Sequence, residues 1–511
     1  MMQHVDRFLN RFTMYRLTLY YLAALLALGF GLSFFGVVSG GPVAVVSTTG
    51  ILLASCWLAN LLLSRIWKVR ANPESSLITA LILALISGPV SVLADPRHAA
   101  VLALSGAAAV ASKYLLAFRR QHALNPAAFG AFISAVAFGT YATWWVGNAA
   151  MLPLVAVGGF LLVRKISRFR FLGAFLLAFV VSMAALSFAQ GLSLGMVLQS
   201  VGFVFRQSAL VFFAVVMLTE PMTSPKRLAL QVLYGAIVAF LYQPLLTMFG
   251  QNLTPEEALL VGNLFSFFVS PSRKLKLSLK GRKEEGTGIT SFTFPRPPGF
   301  SYRAGQYMEW GLPIRRADSR GTRRYFSLAS SPTEPDLLIA ARIPTDPSSY
   351  KEALERLSVG DGILAGELGG DFVLPRDPRV PLAFIAGGIG ITPVRAMIRH
   401  MLDTGEGRDI VLFYSNRTEQ EIAFRCVFDE AARTAGLHAV YTLTDLARVR
   451  PSWCGGRGPI DADMIRTEAP GYASRRFYIS GPPAMVNGMK AVLRSMGVHR
   501  GNIRSDSFTG Y

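Results

Sequence analysis

Cysteine is nearly absent from this chain, and charge is scarce. Cys56, Cys426 and Cys454 stand far apart in 511 residues, with no Cys-x-x-Cys pair. That excludes an evident disulfide framework, and it leaves too few ligands for a zinc site or an iron–sulfur cluster within one chain. Redox chemistry would therefore fall to organic cofactors, with no metal expected. Only 16% of residues are charged, against 52% hydrophobic. Such a chain is too apolar to be wholly soluble and too long for one core. Acidic side chains are the scarcer sign, 31 against 51 basic, giving a formal charge of +20. A basic excess invites a nucleic-acid reading. No nucleic-acid motif accompanies it, so no such partner is expected.

The apolar load stops near Ser270. Up to that point there are 17 basic and 6 acidic side chains; the remainder has 34 and 25. Residues 1–270 read as a transmembrane helical domain. A helix needs about 20 apolar residues to cross a bilayer. Segments near 17–38, 43–63, 77–93, 98–118, 125–148, 149–163, 171–189, 195–219, 228–249 and 256–270 predict about ten spans. The stretch before Leu17 has scattered charges and no small-residue cleavage site, so the first span reads as uncleaved. With a cytoplasmic N-terminus, one set of connections carries Arg65, Lys68, Arg70, Arg119, Arg120, Arg164, Lys165, Arg168, Arg170, Lys226 and Arg227, and the opposite set only Arg97. This asymmetry predicts a multi-pass protein of the inner (cell) membrane, with the lipid bilayer as partner and both the N-terminus and the C-terminal half in the cytoplasm. Lys113 and Arg206 lie inside apolar segments, where a charge is a functional suspect. Snorkelling toward a helix end is the simpler expectation for Lys113. For Arg206, snorkelling and a functional role weigh equally; it could pair with a cofactor phosphate, an acidic quinone-site group or Glu220.

Three stretches interrupt the apolar pattern: His122–Gly130, Thr219–Pro225 and Gly262–Leu264. Proline at a helix start is ordinary punctuation, yet polar groups at membrane helix ends also line buried sites. Asn125-Pro126-Ala127-x-x-Gly130, Glu220-Pro221-x-Thr223-Ser224-Pro225 and Asn263-Leu264-Phe265 together resemble the B-type membrane component of the sodium-translocating NADH:quinone reductase and the D-type membrane component of the Rnf complex, over most of residues 60–270. That resemblance implies a membrane flavin, which many members attach to a threonine. Gln190–Gly195 has no threonine, so covalent FMN is not expected; a noncovalent flavin, a quinone or neither stays open.

The remainder divides at about residue 378. Over 275–378, short alternating strands at Gly288–Phe294, Gly305–Trp310, Arg324–Ala329 and Leu337–Arg342 predict an antiparallel β-barrel. Over 379–511, strands at Leu382–Ala386, Ile410–Tyr414 and Arg476–Ile479 alternate with helices such as Val394–Leu402, which predicts an α/β nucleotide-binding domain. Arg324-Tyr325-Phe326-Ser327 offers a permanent cation for phosphate, a flat aromatic face and a hydroxyl. Arg342 ends the next strand. Ser349 lies in a stretch able to present amides to a pyrophosphate, and Gly369 and Gly370 permit close backbone approach. Gly387, Gly388 and Gly390 lie between strand and helix, where free amides and the helix dipole attract phosphate. Thr392-Pro393 opens that helix, and Ser480-Gly481-Pro482 follows a later strand.

Together these motifs resemble the ferredoxin–NADP reductase superfamily across residues 275–511. The resemblance implies FAD in the barrel, a nicotinamide dinucleotide in the α/β domain, and hydride transfer between them. Ser327 and Ser480 would act at the junction of the two cofactors. Two departures stand out. Phe326 replaces a flavin-stacking tyrosine, and Ser480 replaces a common cysteine. A terminal aromatic, Phe508 or Tyr511, would cover the flavin. Arg417, after the second strand, permits NADPH, although NADH-using relatives also keep an arginine there. The function expected is a membrane-bound flavoprotein oxidoreductase passing electrons from NAD(P)H to a flavin or quinone. The alternative is a redox-driven ion transporter or an electron-transfer component of a larger respiratory complex.

Overall fold

The computed structural model describes residues 5, 8–9, 12–68, 73–91, 94–118, 121–207, 209–248, 251–270, 274–314, 317–318 and 320–508. The chain divides into two compact units, Met1–Arg273 and Lys274–Tyr511.

The first unit is helical around one apolar core. Its helices are α1 (Met14–Ser33), α2 (Gly41–Ile66), α3 (Pro73–Ile86), α4 (Pro96–Leu115), α5 (Pro126–Phe138), α6 (Leu152–Ile166), α7 (Phe169–Ala189), α8 (Leu194–Gln207), α9 (Leu210–Phe212), α10 (Leu228–Leu241) and α11 (Pro255–Val269). Their starts follow local chemistry. Asn125 caps α5 by accepting from Ala128 N, and Thr254 and Glu257 form a reciprocal capping box at α11. Phe171, Phe175 and Phe179 recur every four residues along α7 and are fully buried. Gly235 of α10 lets that ridge approach, since a Cβ there would lie 3.3 Å from the Phe171 ring. Outward, Trp57, Leu62, Leu177, Val181 and Phe203 are exposed. Exposed apolar side chains on these helices are compatible with membrane insertion.

The count of ten spans is not met by helix length. Four helices, α1, α2, α4 and α7, are long and apolar enough to cross a bilayer; α8 and α9 with the turn after it form a fifth candidate bent by 65°. α3, α5 and α10 are apolar but only 14, 13 and 14 residues long. The stretch expected as one span over 125–148 stops at Phe138, where Gly139 takes φ +65° as the left-handed cap. Residues beyond it run irregularly and cap α3: Thr143 N and Trp144 N both donate to the Ile86 carbonyl at 2.8 Å. Non-helical backbone at such a place is tolerated when protein satisfies it. Phe213–Leu218 is a fully buried π-helical turn.

The second unit has two layers of strands. In its first part, β1 (Leu275–Ser278), β2 (Gly281–Gly286), β3 (Ile289–Pro295), β4 (Tyr307–Gly311), β5 (Arg323–Ser327), β6 (Asp336–Arg342) and β7 (Gly362–Gly369) are antiparallel. They pair as two sheets, β6-β3-β2 and β1-β7-β4-β5, around one core that includes Phe292, Trp310 and Ile339. The expected antiparallel barrel is not shown: among the described residues the strands pair as two sheets, and β5 does not pair with β6. A short helix, α12 (Ser349–Glu355), precedes β7.

In its second part a six-stranded parallel sheet has the order β11-β10-β9-β8-β12-β13. These strands are β8 (Leu382–Gly387), β9 (Ile410–Asn416), β10 (His438–Leu443), β11 (Gly456–Arg457), β12 (Arg476–Gly481) and β13 (Ile503–Ser507). Helices α13 (Thr392–Thr404), α14 (Arg425–Thr434), α15 (Ala462–Glu468) and α16 (Pro483–Ser495) connect them. β8 is buried at every position, as expected for a central strand covered on both faces. The order runs outward from β8 in both directions, so the carboxyl ends of β8 and β12 flank a topological switch point.

Candidate functional site

Glycine is required where β8 ends. A Cβ on Gly390 would lie 2.4 Å from the Ser480 carbonyl oxygen, and one on Gly387 would lie 2.2 Å from Met485 Sδ. Gly388 takes φ +52°. The turn Gly388–Ile391 leads into α13, with Pro393 in its first turn and the Thr392 hydroxyl donating to the Ile389 carbonyl at 3.2 Å. Gly481 and Pro482 stand beside this turn and lead into α16. Two helix starts and two strand ends thus meet at the switch point, where backbone amides and helix dipoles favour an anion.

The C-terminal segment belongs to this site. β13 pairs in parallel with β12, matching Gly481 with Ser507, and Phe508 N donates to the Gly481 carbonyl at 2.9 Å. Phe508 is therefore fixed beside Ser480-Gly481. Tyr511 lies outside the described residues.

The antiparallel sheets supply the second wall. Tyr307 on β4 is matched across the sheet with Ser327 on β5 and Gly369 on β7. Gly370, at φ +105°, lies against the Tyr307 ring, where a Cβ would come within 3.1 Å. On β5, Arg324 is buried and lies over the Tyr350 ring at 5.0 Å; Phe326 packs 6.0 Å from the same ring. Arg324 Nη1 donates to the carbonyls of Arg320, Gly321 and Arg323. Tyr325 points the other way, exposed, its hydroxyl donating to Glu367 at 2.9 Å. Because β5 is an edge strand, one row of its N–H and C=O groups has no strand partner.

Two buried hydroxyls stand out. Ser327 Oγ and Ser480 Oγ have no hydrogen-bond partner among the described residues. A buried polar atom without a partner costs about 1–3 kcal/mol, so a ligand atom at each place would recover that cost. The edge strand, the Gly387–Gly390 turn and these hydroxyls fit a flat polar ring bound against β5 and a dinucleotide across the switch point.

The remaining expected residues are placed differently. Ser349 sits in the first turn of α12, where its N–H and hydroxyl engage Asp318: the amide donates to Asp318 Oδ2 at 3.2 Å, and Asp318 N donates to Ser349 Oγ at 3.0 Å. Arg342 makes a two-pronged ion pair with Glu421, at 3.0 and 2.8 Å, tying β6 to the turn after β9. Its guanidinium is thus committed to bracing the two layers. Arg417 is exposed just beyond β9.

Sequence reasoning missed a group of acids and phenols around Tyr307. Burial, then the fields of Asp506, Asp371 and Glu367, pushes the Tyr307 phenol up. Burial, then Asp371, raises the Asp506 carboxyl above the usual range. Burial also raises Glu309, helped by Glu367 and opposed by Arg323. Asp506 precedes Phe508 by two residues; strand alternation from that aromatic was the available signal. Lys351 was missed as well. Burial, then Arg324, Arg320 and Arg342, pushes its ammonium down to about 8, which marks a pocket already rich in positive charge.

Residues 384–491 match the model of the oxidoreductase NAD-binding domain. The C-terminal region is a ferredoxin–NADP reductase-type FAD/NAD-binding oxidoreductase domain. Its curated relatives include ferredoxin–NADP reductase B of Sorangium cellulosum, 28% identical over 230 residues that make up 43% of this chain and 91% of the relative. The stachydrine N-demethylase reductase subunit Stc4 of Rhizobium meliloti is 27% identical, covering 45% of this chain and 65% of its own length. The reductase component of propane 2-monooxygenase of Rhodococcus jostii is 28% identical, covering 42% and 57%. The chain thus spans about three fifths of these last two relatives. A solved ferredoxin NADP+ reductase from Neisseria gonorrhoeae, with bound FAD and NADP, covers 47% of this chain and 99% of its own at 20% identity and a TM-score of 0.40.

Proposed function

We propose that this protein is a membrane-bound NAD(P)H-oxidising flavoprotein that delivers electrons to an acceptor in or across the bilayer. The observation that carries it is the meeting of the Gly387–Gly390 turn with Ser480-Gly481, in a chain that also carries a unit of long apolar helices. Bound FAD would supply the chemistry, accepting a hydride from reduced nicotinamide and releasing electrons singly. The Gly387–Gly390 turn and the start of α13 would hold the dinucleotide phosphates. Arg324 and the first turn of α12 would hold the flavin pyrophosphate, with Ser349 exchanging Asp318 for phosphate oxygens. Ser327 and Ser480 would orient the two rings, and Phe508 would shield the flavin face until nicotinamide displaces it. Positioning carries the reaction, so no acid–base triad is needed.

The positive-inside asymmetry supports a cell-membrane location with the N-terminus and flavin domain in the cytoplasm. Four long helices, the bent pair taken as one and three shorter apolar helices make eight segments among the described residues, an even number that would return the chain to its starting side. The acceptor is a noncovalent flavin or a quinone in the helical unit. The relatives named above are reductase components by their names, which supports a second reading in which a separate partner protein takes the electrons. Purification in detergent tests the proposal. A flavin absorption spectrum bleached by NADH or NADPH is expected; a colourless protein inert to both would overturn it. Bleached flavin that reoxidises with a soluble quinone analogue in vesicles favours the membrane acceptor.

A further inference from the structure

Three interruptions of the apolar sequence, far apart in the chain, meet in space. Asn125 Nδ2 donates to Glu220 Oε2 at 2.7 Å, and the Thr223 hydroxyl donates to the same oxygen at 3.2 Å. Asn125 N donates to Asn263 Oδ1 at 2.7 Å. Asn263 Nδ2 donates to the Tyr234 hydroxyl at 3.0 Å and the Thr223 carbonyl at 3.4 Å. The start of α5, the turn after the π-helical segment, α10 and α11 therefore close around one carboxyl group. Asn125, Thr223 and Asn263 are all at most 2% exposed. Apolar side chains of similar volume would pack these helices at least as well, so the polarity calls for another reason.

The charges that face Glu220 are Lys113 from α4 and Arg168 at the start of α7, and the titratable phenol is Tyr234 from α10. Lys113 does not touch it. Its ammonium turns inward to α3, donating to the Ser75 carbonyl at 2.8 Å, Ser75 Oγ at 3.0 Å and Thr79 Oγ1 at 2.7 Å. Arg168 donates to the Thr219 carbonyl at 3.2 Å and to the Ser224 hydroxyl. Arg206 is exposed and bonds the Gly202 carbonyl of its own helix at 3.2 Å. The hydrogen bonds to the Glu220 carboxyl thus come from neutral donors.

A proton suits this place better than a metal ion. Nearby oxygens are already accepting: Asn125 Oδ1 from Ala128 N, Asn263 Oδ1 from Asn125 N, and the Thr219 carbonyl from Arg168. A cation needs a shell of open oxygens, and no group of three His, Cys, Asp or Glu able to hold one occurs among the described residues. A proton needs one carboxyl oxygen. The same face of α11 carries the polar line onward. Ser266, 1% exposed, has a hydroxyl without a partner among the described residues. Glu256, seven residues before Asn263 and about 10 Å along the helix, is 1% exposed and accepts from Trp144 Nε1 at 3.2 Å.

We propose that Glu220, framed by Asn125, Thr223 and Asn263, is a proton-binding site within the helical unit. The carboxylate takes a proton from hydronium, forming an O–H bond and releasing water, and the reverse step returns it; no electrons move. The proposal rests on the reading of this unit as membrane-embedded. The test is infrared difference spectroscopy of the full chain in phosphatidylcholine vesicles, acid minus alkaline, in H2O and D2O. Wild type should gain a protonated-carboxyl band that shifts in D2O. Glu220→Gln should lose it, Glu220→Asp should keep one, and Asn125→Leu should shift it through loss of a donor. Identical carboxyl bands in wild type and Glu220→Gln would overturn the proposal, as would loss of the band in Glu256→Gln instead. Should Glu220→Gln fail to assemble, an unshifted band in Asn125→Leu overturns it equally. Failure of the membrane reading looks different: alkaline carbonate would then strip the chain from the vesicles, whatever the carboxyl band does.

Discussion

Two clusters of polar groups, one in each unit, stand in opposite conditions. In the helical unit, buried Asn125, Thr223 and Asn263 and half-buried Glu220 are bonded to one another. In the sheet unit, the hydroxyls of Ser327 and Ser480 are buried with no partner among the described residues. The first arrangement is complete as it stands and needs at most a proton. The second is incomplete until something binds. Satisfied networks specify a structure, whereas an unsatisfied buried hydroxyl points to a ligand atom.

Gly390→Ala should break the sheet unit with the largest effect. Its Cβ would meet the Ser480 carbonyl oxygen and the Gly481 Cα, both backbone, so neither can swing away. Overpacking of this kind costs about 1–3 kcal/mol, and here it also separates the strand ends that would hold the nicotinamide dinucleotide. Flavin bleaching by NADH or NADPH should fall at least about 100-fold (about 2.7 kcal/mol of barrier). Unchanged bleaching would mean that the dinucleotide does not bind at this switch point.

Asn263→Leu is the matching perturbation of the helical unit. It strips Asn125 N of its acceptor and leaves a buried amide unpaired, costing about 1–3 kcal/mol. The thermal transition of the helical unit should drop while flavin bleaching stays within about twofold of wild type. Equal loss in both measurements would show that the two units are not energetically separate.

What could be read from the sequence differs between the units for the same physical reason. In the sheet unit, β8, β9 and β12 fall within one or two residues of their expected ranges, because short apolar runs that end in glycine or polar residues leave few alternatives. The Gly387–Gly390 turn and Ser480-Gly481 were legible as separate motifs; their approach within Cβ distance was not, because it depends on the order of strands. The ion pair of Arg342 with Glu421, 79 residues away, had no local signal. In the helical unit, hydropathy located the apolar segments but not their helix ends. Composition cannot separate a helix from irregular backbone that protein satisfies, which is why 125–148 read as one span and α5 stops at Phe138. The convergence of Asn125, Glu220 and Asn263 was equally invisible, although each lay in a stretch that broke the apolar pattern.

Ser480→Ala sharpens the contrast at smaller cost. The hydroxyl is fully buried and bonds nothing described, so its removal takes away no protein hydrogen bond. The ligand-free chain should be no less stable, and gains up to about 1–3 kcal/mol as the unpaired buried hydroxyl is removed. The rate of flavin reduction should fall about tenfold or more if the hydroxyl orients the nicotinamide. Stopped-flow absorbance and a melting curve on one preparation separate the two effects. A stability loss with an unaltered rate would make Ser480 a packing residue.

The smallest expected effect concerns Lys351, whose ammonium is pushed down to about 8 by burial and by Arg324, Arg320 and Arg342. A bound pyrophosphate favours the charged ammonium and would raise that value. Flavin binding should then take up a proton once the pH exceeds about 8, so FAD affinity should fall as pH rises from there. The loss should be on the order of tenfold for each unit by which binding raises the Lys351 value, and fluorescence titration of the flavin-stripped chain would measure it. Lys351→Met should flatten the profile. Stability runs the other way. The folded, flavin-free chain holds this proton less tightly than the unfolded chain does, so its stability should rise between about pH 8 and the ordinary lysine value. A falling affinity beside a rising melting temperature is a pair of signs that general alkaline unfolding cannot produce. Two falling curves would place the pyrophosphate elsewhere.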